Sequence, residues 1–241
     1  MKYLVHTPFR CGSSYLTRFL EKNNNDIEAK FAYNYTNYID DENLVIKSHN
    51  DDILYDIRFD YIFTCIRKPT QIFLSAFIKD LKTVFEIGET RDERTTYPYY
   101  YDKDVTLDNI DDIVDTFMSL DWDSYGWVDY DTNFRYIRKL TGINIWNEPF
   151  DKEQGYGIYK SPDNTKVIPV THDILFNPYR FHNFQELCKN ELKFNNLEKG
   201  IFSYRNSDTY GELYDKFLES VPSEFYQKYK YLDDRIIDKF L

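Results

Sequence analysis

Cysteine is scarce: only Cys11, Cys65 and Cys188 occur, an odd number with no metal-ligand spacing. A complete disulfide framework and a cysteine-held zinc are excluded, and free thiols in a reducing compartment are expected. No run approaches the ~20 apolar residues of a membrane span, and the apolar stretch after Met1 is too short for a secretory leader. The sequence therefore predicts a soluble, cytoplasmic protein with no membrane partner. Positive charge is outnumbered, 30 Lys and Arg against 41 Asp and Glu, for a net charge of −11. That balance excludes a broad basic surface for a nucleic-acid backbone. A small anionic ligand stays compatible with it, because a few local cations, helix ends and backbone donors suffice. Internal repeats and low-complexity linkers are also missing, so residues 1–241 are expected to form one domain with a sizeable core.

What is present is a chain with 42% hydrophobic and 19% aromatic residues, ample for a folded protein. Its first stretch, KYLVHTPFRCGSSYLTRFL over residues 2–20, reads as strand, tight loop and helix. Amides around Cys11, Gly12, Ser13 and Ser14 would converge at the positive end of the helix dipole. Arg10 and the two serine hydroxyls would complete a cradle for phosphate or sulfate. The competing reading of the same serines is a plain N-cap. Cys11 gains some activation from the helix start, but no base accompanies it in the local sequence.

Two further segments repeat a strand-then-cation plan. NLVIKSH over residues 43–49 delivers Lys47, Ser48 and His49 after a buried apolar run, and DYIFTCI over 60–66 delivers Arg67. A weaker strand is expected over 29–35. Pro69 opens a helix running to about Phe85. In open parallel α/β sheets, ligands sit beyond the carboxyl ends of strands, so Arg10, Lys47, His49 and Arg67 are expected to converge.

Over residues 88–108 the periodicity is lost around Tyr97, Pro98, Tyr99, Tyr100 and Tyr101, which suits either a lid or an ordinary surface loop. Helices are expected over 108–120, over 133–140 ending before Gly142, over 184–192 and through most of 209–241. Strands are expected over 156–159 and 166–170, around a turn at Pro162, Asp163 and Asn164. Asp173 reads as an N-cap. His6 suits a structural role, and His172 and His182 have no motif around them.

Together these residues resemble the sulfotransferases that use 3′-phosphoadenosine 5′-phosphosulfate (PAPS). The family's first element, P-K-S-G-T-T-W, is matched by FRCGSSY, with Arg10 at the lysine, Gly12 at the glycine, Ser13 and Ser14 at the threonines and Tyr15 at the tryptophan. Its strand ending K-T-H is matched by Lys47, Ser48 and His49. Its arginine followed eight residues later by serine is matched by Arg67 and Ser75 in IRKPTQIFLSAF. The elements occur in the family's order and cover about the first third of the chain. The family's C-terminal glycine-rich segment is absent; Tyr204, Arg205, Asn206 and Ser207 stand as its substitute.

The resemblance implies a three-layer α/β fold, P-loop nucleotide-binding-like, with a mainly parallel sheet flanked by helices. It implies sulfuryl transfer from PAPS to an acceptor hydroxyl on a carbohydrate or small molecule, with adenosine 3′,5′-bisphosphate (PAP) as product and no metal. His49 would be the general base, with an unperturbed pKa near ~6.5. Lys47 and Arg10 would hold charge developing on the leaving oxygen. Arginine is always protonated, so Arg10 would stabilise that oxygen without donating a proton. The nucleotide would lie on Arg10, Cys11, Gly12, Ser13, Ser14, Tyr15, Arg67, Ser75 and Arg205. Arg67 and Ser75 would take the 3′-phosphate, and Tyr15 would stack on adenine or serve as a core aromatic. The alternatives are a P-loop kinase or NTPase, for which the full G-x-x-x-x-G-K-[ST] pattern is missing, and a non-catalytic nucleotide-binding module.

Overall fold

A computed structural model describes residues 1–8, 11–23, 28–31, 43–48, 57–86, 106–124, 129–194, 197 and 208–241, with the backbone alone at 28–31, 79–86 and 208–211. The chain divides into two compact units. One comprises Met1–Lys68, Trp127–Ile201 and Arg235–Leu241; the other comprises Pro69–Gly126 and Phe202–Asp234.

The first unit is an α/β sheet flanked by helices. Its strands are β1 (Lys2–His6), β2 (Glu28–Phe31), β3 (Leu44–Ser48), β4 (Tyr61–Ile66), β5 (Tyr159–Lys160) and β6 (Lys166–Thr171). They lie in the order β2-β3-β1-β4-β6-β5, all parallel except the antiparallel β5 at the edge. The apolar cores of β1, β3 and β4 are buried, as expected for strands covered on both faces.

Its first helix is α1 (Ser13–Lys22). The second unit begins with α2 (Pro69–Glu86), followed by α3 (Ile110–Met118). The first unit resumes with α4 (Tyr130–Thr141), α5 (His172–Phe176) and α6 (Phe181–Leu187). Then come α7 (Asp208–Ser220), α8 (Ser223–Lys228) and α9 (Lys230–Phe240).

Alternation along β4 shows which face each helix covers. Thr64 donates to Asn133 of α4 at 3.1 Å, whereas Tyr61, of opposite parity, donates to the Glu191 carbonyl just beyond α6 at 3.1 Å. Helix α4 thus covers one face and the α6 segment the other. His6 of β1 lies against Tyr136 of α4 with ring centroids 4.5 Å apart, on the same face as Thr64. On the other face Phe19 of α1 meets Phe184 of α6 at 4.9 Å. Phe240, near the chain end, closes over Phe134 and Trp146 at 5.8 and 5.4 Å.

The second unit is helical with an aromatic core. Phe77 and Phe117 both meet Phe217 of α7, at 5.6 and 5.3 Å, and Phe73 stacks on Trp122 at 5.2 Å. The carboxylate of Asp233 receives both the Thr70 amide, at 3.1 Å, and the Thr70 hydroxyl, at 2.6 Å, capping the start of α2.

Several expected bounds shift. Helix α4 starts at Tyr130, because Asp129 is its N-cap and accepts the Thr132 amide at 3.0 Å. It ends at a left-handed Gly142, φ 78°. The strand expected over 156–159 shrinks to a two-residue β5, with Tyr156 making only isolated bridges. The helix expected over 184–192 begins at Phe181 and widens into a π turn at Cys188–Leu192. Asp173 is not an N-cap: Thr171 holds that position, and Asp173 lies in the first turn of α5. Its carboxylate instead receives Arg180 at 2.8 Å and Asn177 at 3.1 Å. Of the strand expected over 29–35, the part beyond Phe31 lies outside the described residues, as does the Tyr97 to Tyr101 run. Among the described residues no helix is long and apolar enough to cross a membrane.

Candidate functional site

Strand β1 lies between β3 and β4, and the chain leaves it toward β2 and β3 before crossing to β4 on the other side. Such a reversal opens a crevice at the carboxyl end of β1. The loop leading out of β1 ends in Gly12, whose φ of 96° is left-handed, and α1 starts directly after it. A side chain at Gly12 would be strained, and its Cβ would stand 3.1 Å from the Phe176 ring of α5. No side chain caps α1, and no acidic residue lies in its first turn. The start of α1 therefore keeps the positive dipole end that favours an anion.

Lys47, near the end of β3, reaches this helix start and donates from Nζ to Ser14 Oγ at 2.8 Å. Two residues named from separate motifs are thereby joined. Ser14 is exposed, while Ser13 is buried and its carbonyl accepts the Thr17 hydroxyl at 2.9 Å. Tyr15 is buried, with ring centroids 5.0 Å from Phe176 and 6.1 Å from Phe19. Its surroundings are those of a core aromatic.

Cys11 is fully buried, and its Sγ lies 3.5 Å from the hydroxyl of Tyr130. Burial pushes the thiol up to about 12, outweighing the lowering by the Arg67 charge. At neutral pH it is a protonated thiol, not a nucleophile. Tyr130 also grips Arg67: it receives the Arg67 amide at 2.7 Å and donates to the Arg67 carbonyl at 2.7 Å. The end of β4 and the loop after β1 are thus tied to one hydroxyl.

Strand β6 brings a residue that motif reading passed over. His172 follows its last residue and stacks on Phe176 with ring centroids 4.3 Å apart. Burial holds its pKa well below the ordinary value, and the Arg67 charge lowers it further. The signal was available: VIPVTH over residues 167–172 repeats the apolar-strand-then-histidine plan of NLVIKSH. Tyr130 had a weaker signal, the Asp129 cap immediately before it.

Arg10, His49 and Arg205 lie outside the described residues. Ser75 is half-buried on α2, in the second unit. Among the described residues no group of three or more His, Cys, Asp or Glu is placed to hold a metal. An open depression of about 800 Å³ lies at the β5 edge, against Phe150, Tyr156 and Tyr159, and involves none of the motif residues. Comparison of the chain with family models, curated proteins and solved structures finds no match.

Proposed function

We propose that the protein is a sulfotransferase of P-loop nucleotide-binding-like type that moves a sulfuryl group from PAPS to an acceptor hydroxyl on a carbohydrate or small molecule. The observation that carries this reading is the 2.8 Å hydrogen bond from Lys47 to Ser14. It joins the second sequence motif to the first at an uncapped helix start. An ammonium, a hydroxyl and helix-start amides at one point suit the 5′-phosphosulfate, whose charge grows on the leaving oxygen during transfer. Lys47 and Arg10 stabilise that charge, and His49 takes the proton of the attacking hydroxyl. Arg67 binds the 3′-phosphate, and no metal is required. The three buried free thiols fit a reducing, cytoplasmic setting.

Calorimetry with a chelator present tests the donor half of this reading. PAP should bind without divalent metal, and labelled sulfate should pass from PAPS to a member of a hydroxyl-acceptor panel. His49→Ala should slow transfer by ~10²–10⁴-fold while leaving PAP affinity nearly unchanged. Strict magnesium dependence, or a preference for ATP, would replace the reading with a kinase.

A further inference from the structure

Three groups converge on the hydroxyl of Tyr130, and its hydrogen-bonding capacity is used up by them. A phenol has one proton to give and accepts at two positions. The proton goes to the Arg67 carbonyl at 2.7 Å, and one acceptor position takes the Arg67 amide at 2.7 Å. The 3.5 Å contact with Cys11 then runs from S–H to the Tyr130 oxygen. Cys11 adjoins Gly12 in the loop after β1, whereas Arg67 follows β4, so one side-chain oxygen spans the two strand ends. The hydroxyl is itself held from two directions. Asp129 fixes the start of α4 one residue before Tyr130, and Asn133, one turn later, receives Thr64 of β4 at 3.1 Å.

On the functional reading above, the loop takes the 5′ end of the nucleotide and Arg67 takes the 3′-phosphate. Resting on that reading, we propose that Tyr130 is a positioning residue that fixes the spacing between these two anion positions and so sets the preference for a nucleotide phosphorylated at both ends. The phenol touches neither phosphate in this scheme. It holds the backbone of the residue that reads one and the thiol beside the amides that read the other. Loss of the hydroxyl leaves the Arg67 amide, the Arg67 carbonyl and the Cys11 thiol to find other partners, and the spacing relaxes.

The test is Tyr130→Phe, titrated with PAP and with adenosine 5′-monophosphate, alongside infrared measurement of the Cys11 S–H stretch. PAP affinity should fall about tenfold and monophosphate affinity should change less than about twofold. The S–H band, identified by its loss in Cys11→Ala, should move to higher frequency when its acceptor is removed. Should Tyr130→Phe not fold, Cys11→Ala serves in its place, with a smaller loss confined to PAP. Equal losses for both nucleotides would reduce Tyr130 to a structural role and overturn the proposal. A wild type that favours PAP beside a folded variant that favours it equally defeats this inference alone. A wild type that binds the two nucleotides alike defeats the functional reading and the inference with it.

Discussion

Burial keeps both Cys11 and His172 neutral, by moving their proton affinities in opposite directions. The Cys11 thiol is pushed up to about 12, whereas the imidazole of His172 is pushed well below its ordinary range and further lowered by Arg67. The thiol is therefore a fixed donor, and the imidazole stays uncharged at neutral pH. For His172 this has a consequence for stability. The unfolded chain takes up a proton near pH ~6.5, but the folded one does so only at lower pH. The stabilisation is complete above ~6.5 and is lost as pH falls from there through the folded value. In urea titrations the wild-type midpoint should fall between about pH 7 and pH 5, and His172→Gln should show a flatter profile over that window. Parallel profiles would remove His172 as the source.

At the scale of elements, the loop from β1 into α1 depends on a backbone conformation that one residue type supplies. Gly12 and Gly142 are both left-handed, with φ of 96° and 78°. A Cβ at Gly142 meets nothing within 4 Å, whereas one at Gly12 stands 3.1 Å from Phe176. Alanine at either position should cost about 1–2 kcal/mol through the backbone alone, a fall of roughly 2–8 °C in Tm for a unit of this size. Only Gly12→Ala should also weaken PAP binding, because it alone displaces the start of α1 against α5. Calorimetry on both variants decides this, and equal affinities would mean that the loop conformation does not matter to the ligand. The strand-loop-helix itself was legible because Tyr3, Leu4 and Val5 form an unbroken apolar run and Gly12 marks the turn. The start of α4 was not, because Tyr130 is an aromatic with a polar handle that reads neither as helix face nor as cap. The π turn at Cys188–Leu192 was hidden for a different reason: i→i+5 bonding over a single turn widens the helical period without breaking the apolar pattern. Nor did local sequence reveal the chemistry of His172, which comes from its burial and, to a lesser degree, from the charge of Arg67 just past the end of β4.

For the whole molecule, strand order decides which cations can share a ligand. The sequence supplies the cations at strand ends, but only the pairing places β1 between β3 and β4. Lys47 and Arg67 consequently stand on opposite sides of the loop after β1, and on the sulfotransferase reading they serve opposite ends of the nucleotide. Their mutants should separate cleanly when read against two ligands. A charge-assisted hydrogen bond contributes about 1.5–3 kcal/mol, so Arg67→Ala should weaken PAP by roughly ten- to a hundredfold. Adenosine 5′-monophosphate lacks the 3′ group, and its affinity should hardly change. Lys47→Ala should instead weaken both nucleotides by a similar factor, since both carry the 5′-phosphate that the helix start receives. On this reading the two side chains serve opposite ends of the nucleotide, so the double mutant should lose PAP affinity by nearly the product of the two factors. Equal losses of the two nucleotides on removing Arg67 would show that it does not read the 3′ position. The division of labour across β1 would then fall, while the Lys47 result would still tell whether the start of α1 holds the 5′-phosphate.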